Sequence, residues 1–191
     1  MVEIRIIAVI GAGAHGRDIA RISALGGFRT VLEDILPASL RRAEGEIRGA
    51  LDGAIKNGAI TRSAADAAFA RIEYASSVEQ AAREADLVIE AVPEELESKI
   101  EIFILLDKVA RPATILASNT SAFSVTELAS VTYRGEKVLG MRFSTPANGT
   151  ELLEIVRGEK TDGETLAACA AIGRRMGKRV VVIEEALSRQ S

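Results

Sequence analysis

Short runs of apolar, β-branched residues alternate along the chain with longer stretches in which apolar positions recur at helical spacing. The runs Arg5 to Ile10, Arg29 to Leu32, Asp86 to Ala91, Thr114 to Ala117, Lys137 to Arg142 and Arg179 to Ile183 read as strands. Within them, Ile6-Ile7-Ala8-Val9-Ile10 and Leu87-Val88-Ile89 carry no polar position, so both faces are expected to lie under helices, as in a parallel sheet. Strands that alternate with helices are the order of a doubly wound α/β sheet. Glu151 to Val156 reads as one more strand, and Thr161 to Met176 as a helix closed at Gly177. The alanine-rich segment Pro37 to Arg71 predicts a helical hairpin inserted after the second strand. Pro37 suits a first helical turn, Asn57-Gly58 a left-handed stop, and Thr61 the cap of a second helix.

Composition narrows the function classes. A chain of 191 residues, 48% apolar and 27% charged, can bury one core without disulfides or metals, and no metal site is expected. Asp and Glu outnumber Lys and Arg, 27 to 24, and no basic block stands out, which argues against nucleic acid as a partner. The balance of apolar and charged residues is that of a globular protein in water, so no membrane partner is expected either. The first apolar run is short, follows Glu3 and Arg5 and ends in glycines, unlike a secretory leader; a cytoplasmic protein is expected. Cys169 is the sole cysteine, and its place in a helical run predicts a buried, inert thiol.

The candidate chemistry begins at Gly11-Ala12-Gly13-Ala14-His15-Gly16, which lies between the first strand and a helical run from Arg17 to Leu25. In this spacing Gly11 permits a tight turn, Gly13 lets a diphosphate approach the backbone, and Gly16 lets the helix pack on the strand. The head of the helix offers free N–H groups and a partial positive charge to that diphosphate. Asp34 ends the following strand about twenty residues on, where a carboxylate accepts bonds from a ribose and repels a 2′-phosphate. The expected cofactor is therefore NAD rather than NADP. Strand alternation turns the neighbouring Glu33 away from this site.

With those residues in place, the chain resembles the NAD-binding domain of the 3-hydroxyacyl-CoA dehydrogenases over nearly its whole length. The likeness rests on the glycine loop, the Val31-to-Asp34 strand end and the helical insert. It extends through Ala85-Asp86-Leu87-Val88-Ile89-Glu90-Ala91-Val92-Pro93-Glu94, Ala117-Ser118-Asn119-Thr120-Ser121, Gly140-Met141-Arg142-Phe143 and Leu153-Glu154-Ile155-Val156. The resemblance implies a Rossmann-type, mostly parallel sheet over residues 1–186, with the insert at about 37–71, a tail at 187–191, and no C-terminal helical domain of the family's kind. It implies hydride transfer between NAD and a 3-hydroxyacyl thioester in fatty acid metabolism, with an acyl-CoA-like substrate; a module that binds NAD(H) without redox chemistry, and a dehydrogenase for another hydroxyacyl or hydroxy-acid substrate, are the alternatives. A helical partner domain or a homo-oligomer would complete the cleft.

Residue by residue, the resemblance assigns Glu94 and Lys99 to the nicotinamide end of the cofactor, and Asn119 and Ser121 to the space beside the nicotinamide and the substrate oxygen. Glu154 matches the glutamate that orients the family's catalytic histidine, but the histidine position itself holds Arg142. Arginine stays protonated and cannot accept the hydroxyl proton. Arg142 is left with two roles: an ion pair with Glu154, or a fork for an anionic substrate or thioester oxygen. Ser144 and Thr145 replace the family's aromatic residue and asparagine before the retained Pro146, which predicts an altered substrate side. His15, the chain's one histidine, stands in the glycine loop, where filling space over the cofactor is the expected role and a substitute base the alternative.

Overall fold

The computed structural model describes residues 3–144 and 151–185; Thr145, Pro146 and the tail at 187–191 lie outside them. The chain opens with β1 (Ile6–Ile10), α1 (Ala14–Leu25) and β2 (Arg29–Glu33). The hairpin follows as α2 (Pro37–Lys56) and α3 (Arg62–Phe69), then β3 (Ile72–Ala75), α4 (Val78–Ala82), β4 (Leu87–Glu90) and α5 (Leu96–Val109). The remainder runs β5 (Ile115–Ser118), α6 (Val125–Ser130), β6 (Val138–Ser144), β7 (Leu152–Arg157), α7 (Gly163–Arg175) and β8 (Arg179–Glu184).

The strands form one sheet in the order β3-β2-β1-β4-β5-β6-β7-β8. Every neighbouring pair is parallel except β6 and β7, which are antiparallel. The wholly apolar strands are buried on both sides, as their composition requires. Ile7, Val9, Leu87 and Ile89 join the core under α1, α2, α3 and α7. Ala8, Ile10 and Val88 join the opposite core, under α4, α5 and α6. This is the doubly wound, mostly parallel sheet expected from the pattern.

The hairpin also forms where its signals lie. Pro37 opens α2, Gly58 takes φ +74 just past its end, and the Thr61 hydroxyl accepts the Ala64 N–H at 3.1 Å to cap α3. Two starts differ from expectation. Helix α1 begins at Ala14 rather than Arg17, because the loop after Gly13 is already helical. Helix α7 begins after Asp162, whose side chain caps the Thr165 N–H; Thr161 instead uses its hydroxyl to hold the Val138 carbonyl at 2.6 Å. Strand β3 and helices α4 and α6 are too short for periodicity to single out.

Cys169 is fully buried, and burial alone pushes its thiol up to about 12, in keeping with an inert role. At the end of β8, Glu185 turns back onto the start of α6, where its carboxylate accepts the Val125 N–H, the Thr126 N–H and the Thr126 hydroxyl. Among the described residues, no helix is long and apolar enough to cross a membrane.

Candidate cofactor and active site

The strand order reverses between β1 and β4, and a doubly wound sheet opens a crevice at such a point. The loops after β1, β2, β4, β5 and β6 all leave the same edge. Because β7 runs antiparallel, its first residues return to that edge as well, and this is how Glu154 reaches the site. One cavity of about 1190 Å³ follows the edge and is lined by the glycine loop, Asp34, Glu94, Asn119, Arg142 and Glu154, among others. It is larger than the usual small-molecule pocket of about 300–1,000 Å³.

The three glycines of the first loop differ in what the fold demands of them. Gly11 sits at φ +100, and a Cβ there would lie 2.9 Å from the Ala91 carbonyl oxygen. A Cβ on Gly16 would fall 1.7 Å from the Gly11 carbonyl oxygen, so only glycine lets α1 begin so close to the turn. A Cβ on Gly13 would meet nothing within 4 Å, and its φ of −66 is ordinary. The first bond of α1 runs from the Arg17 N–H to the Gly13 carbonyl at 3.1 Å, which leaves the preceding amides without helical partners. No acidic side chain lies in the first turn to neutralise the helix head. Open space in front of Gly13 and unpaired amides beside it fit a dinucleotide diphosphate.

Asp34 is held at the same loop. Its Oδ2 accepts the Ala12 N–H at 3.1 Å and its Oδ1 accepts the Leu36 N–H at 2.9 Å. A carboxylate has about four lone-pair sites, so two remain for ribose hydroxyls. Glu33 corrects the expectation that it turns away. It lines the cavity too, at only 5% exposure, because the pocket wraps around the end of β2 and takes side chains from both of its faces. Burial first, and the Asp34 charge second, push the Glu33 carboxyl up to about 7, while a Gly11 N–H works the other way.

Across the switch point, the residues after β4 and β5 are tied together. The Glu94 carboxylate accepts the Ser121 N–H and the Thr120 hydroxyl, each at 2.8 Å. Burial works to raise this carboxyl, but those two bonds and the Lys99 charge outweigh it and hold it below its ordinary value. Lys99 lies beneath. Its Nζ is 2.8 Å from Glu90 and 3.5 Å from Glu94, and it donates to the Val92 carbonyl at 3.2 Å. Asn119 Oδ1 accepts the Phe143 N–H at 3.1 Å and so joins the ends of β5 and β6.

Arg142 and Glu154 face each other in the β6–β7 register and both line the cavity. Of the two roles left to Arg142, the ion pair is absent among the described residues; Nε donates instead to the Thr120 carbonyl at 2.7 Å. His15 lines the cavity from the glycine loop, and Ser121 and Ser144 line its far side. Among the described residues no group of histidine, cysteine and carboxylate side chains is arranged to hold a metal ion.

The model of the 3-hydroxyacyl-CoA dehydrogenase NAD-binding domain matches residues 6–186 of the chain. The chain belongs to this family. It is similar to a probable 3-hydroxybutyryl-CoA dehydrogenase of Bacillus subtilis, at 36% identity over 96% of this chain and 63% of that protein. It is likewise similar to the 3-hydroxybutyryl-CoA dehydrogenase of Bradyrhizobium diazoefficiens, at 38% identity over 95% of this chain and 62% of that protein. The crystal structure of the (S)-3-hydroxybutyryl-CoA dehydrogenase of Ralstonia eutropha superimposes with a TM-score of 0.91 at 33% identity, covering 96% of this chain and 65% of that one. This NAD-binding domain thus spans less than two thirds of the length of these relatives, and NAD is its cofactor.

In this 3-hydroxyacyl-CoA dehydrogenase domain, all eleven residues expected at the site from sequence reach the edge at which the cavity opens or the turn that frames it. Reasoning from sequence missed Glu90. Fully buried, it receives Lys99, the Val92 N–H at 2.8 Å and the Ser118 hydroxyl at 2.5 Å, and so fixes the floor below Glu94. An acid closing the otherwise apolar Leu87-Val88-Ile89 run was the available signal.

Proposed function

We propose that the chain is the cofactor half of a 3-hydroxyacyl-CoA dehydrogenase-type oxidoreductase that moves hydride between NAD and a 3-hydroxyacyl thioester. The observation that carries this reading is a single cavity that joins the Gly11–Gly16 turn and Asp34 to Asn119, Ser121, Arg142 and Glu154. When bound, NAD supplies the hydride acceptor or donor. Amides at the head of α1 hold its diphosphate, Asp34 grips the adenosine ribose, and Glu94, with Lys99 behind it, borders the nicotinamide. Asn119 and Ser121 orient the substrate oxygen beside it.

Arg142 is the departure. A guanidinium keeps its proton, so it acts on an oxygen by charge and hydrogen bonding and removes no proton from a hydroxyl. With Nε held by Thr120, the rest of the fork is directed at an anionic or polarised oxygen, and Glu154 across the strand pair balances its charge. A helical partner domain or a second copy supplies the other wall of the cleft. The same reading puts the domain in the cytoplasm, where a lone thiol such as Cys169 stays reduced.

NADH fluorescence titration and acetoacetyl-CoA reduction test this together. The expected result is clear NADH binding with slow turnover, raised by R142H when a helical partner domain is supplied. Turnover by the unaltered chain as fast as that of its full-length relatives would refute the role given to Arg142. A second reading, a module that binds NAD(H) without redox chemistry, is favoured by the same arginine, and silence of R142H with the partner domain would support it.

A further inference from the structure

The end of β2 carries two carboxyl groups into the cofactor cavity, and the proposed function uses only Asp34. Glu33 is the more enclosed of the two. Its register neighbours on either side, Ile10 of β1 and Ala75 of β3, give it no polar partner. The Gly11 turn covers it, and the Gly11 N–H also donates to the Glu33 main-chain carbonyl at 2.9 Å. We propose that Glu33 is a second determinant of cofactor binding, permissive as the neutral acid and opposed to the cofactor's diphosphate as the carboxylate. The proposal rests on the reading of this cavity as the NAD site.

The opposition between Glu33 and the cofactor is electrostatic. The diphosphate expected at the head of α1 carries two negative charges and would lie over the turn beneath which Glu33 is packed. A charge enclosed in protein is weakly screened, and a carboxylate about 10 Å or less from a dianion lowers affinity on the order of tenfold. Asp34 offsets its own charge by accepting two main-chain N–H groups and facing the ribose, whereas Glu33, 5% exposed, has the Gly11 N–H alone to set against burial and the Asp34 charge. The other charged or titratable groups lining the same cavity are Asp34 on the same strand, Glu79 of α4, Glu94 just before α5 and Lys99 in it, His15 and Arg17 of α1, Arg42 of α2, and Arg142 and Glu154 of the β6–β7 pair. Of these, Asp34 lies close enough to disfavour a second negative charge on Glu33. A carboxyl poised near 7 is therefore largely protonated below neutrality and largely ionised above it.

The sign follows from linkage. If the cofactor prefers the protonated acid, binding draws a proton onto Glu33, and affinity falls as pH rises through neutrality by no more than tenfold per unit. NADH titrated by fluorescence from pH 6 to pH 8.5 should bind roughly tenfold more weakly at the upper end. E33Q, which keeps the shape and removes the charge, should bind at every pH about as the wild type does at pH 6. Because imidazoles as a class titrate in the same range, H15Q is measured in parallel and should keep the wild-type slope. A readout that needs no variant is calorimetry of NADH binding in buffers of different ionisation enthalpy, which should record net proton uptake by the unaltered protein near pH 7.5. Binding that is flat with pH and takes up no proton would overturn the role of Glu33 while leaving the cofactor site intact. Loss of the slope in H15Q but not in E33Q would overturn it equally. Absence of NADH binding at any pH would refute the cofactor site itself.

Discussion

The glycine loop separates what folding requires from what a ligand requires, and Gly13→Ala tests that separation. A methyl group on Gly13 meets nothing within 4 Å at an ordinary φ of −66. Reduced freedom of the unfolded chain stabilises such a change by about 0.4–1 kcal/mol, and the poorer N-cap costs a similar amount, so stability should stay within about 1 kcal/mol of wild type. The same methyl occupies the space that a diphosphate would need. Loss of one charge-assisted bond to a main-chain amide costs about 1.5–3 kcal/mol, which weakens NADH binding roughly tenfold to a hundredfold. Gly16→Ala is the contrast. Its methyl would lie 1.7 Å from the Gly11 carbonyl oxygen, so α1 must move away from β1, at about 3 kcal/mol or more. For a domain of this size that lowers Tm by roughly 6–12 °C. Thermal melts of both variants, with NADH titrations of whichever remains folded, provide the assay. A Gly13→Ala protein that melts and binds NADH like wild type would show that no ligand uses the space in front of that residue.

Lys99→Met should cost about 3–5 kcal/mol in urea unfolding, because it strands the fully buried Glu90 carboxylate, and adding E90Q should recover part of the loss. Glu33 also predicts a pH dependence of stability without cofactor. Its folded-state value of about 7 lies above the ordinary 4.5, so the folded form holds the proton more tightly. That contribution, on the order of 3 kcal/mol, is fully present below about pH 4.5 and lost as pH rises through about 7. It is read as the difference between wild type and E33Q in denaturant titrations across that range, and equal pH profiles would refute it.

The sheet was legible because buried parallel strands leave an unmistakable trace: Ile6 to Ile10 and Leu87 to Ile89 have no polar face to hide. The hairpin was legible because Pro37, Gly58 and Thr61 each act locally. Short elements such as β3 and α4 were not, since a run the length of Ile72–Ala75 offers too few positions to show a period. The glycine turn and Asp34 could be read from spacing, as they belong to one strand–turn–helix–strand unit. Glu33 was misjudged because alternation applies inside a strand, and at the strand's last residue the cavity receives both faces. Glu90 and the Thr120 carbonyl that takes up Arg142 depend on strands 28 and 22 residues apart in sequence, a pairing visible only once β4, β5 and β6 lie side by side.

The grip of Glu185 on the first turn of α6 makes a mechanical link between two distant parts of the chain. Helix α6 follows directly on the loop that carries Asn119 and Ser121, so the end of β8 is tied by side-chain bonds to a segment a few residues from the cavity wall. Removing the Glu185 carboxylate would leave the Val125 and Thr126 amides at the head of α6 without that acceptor.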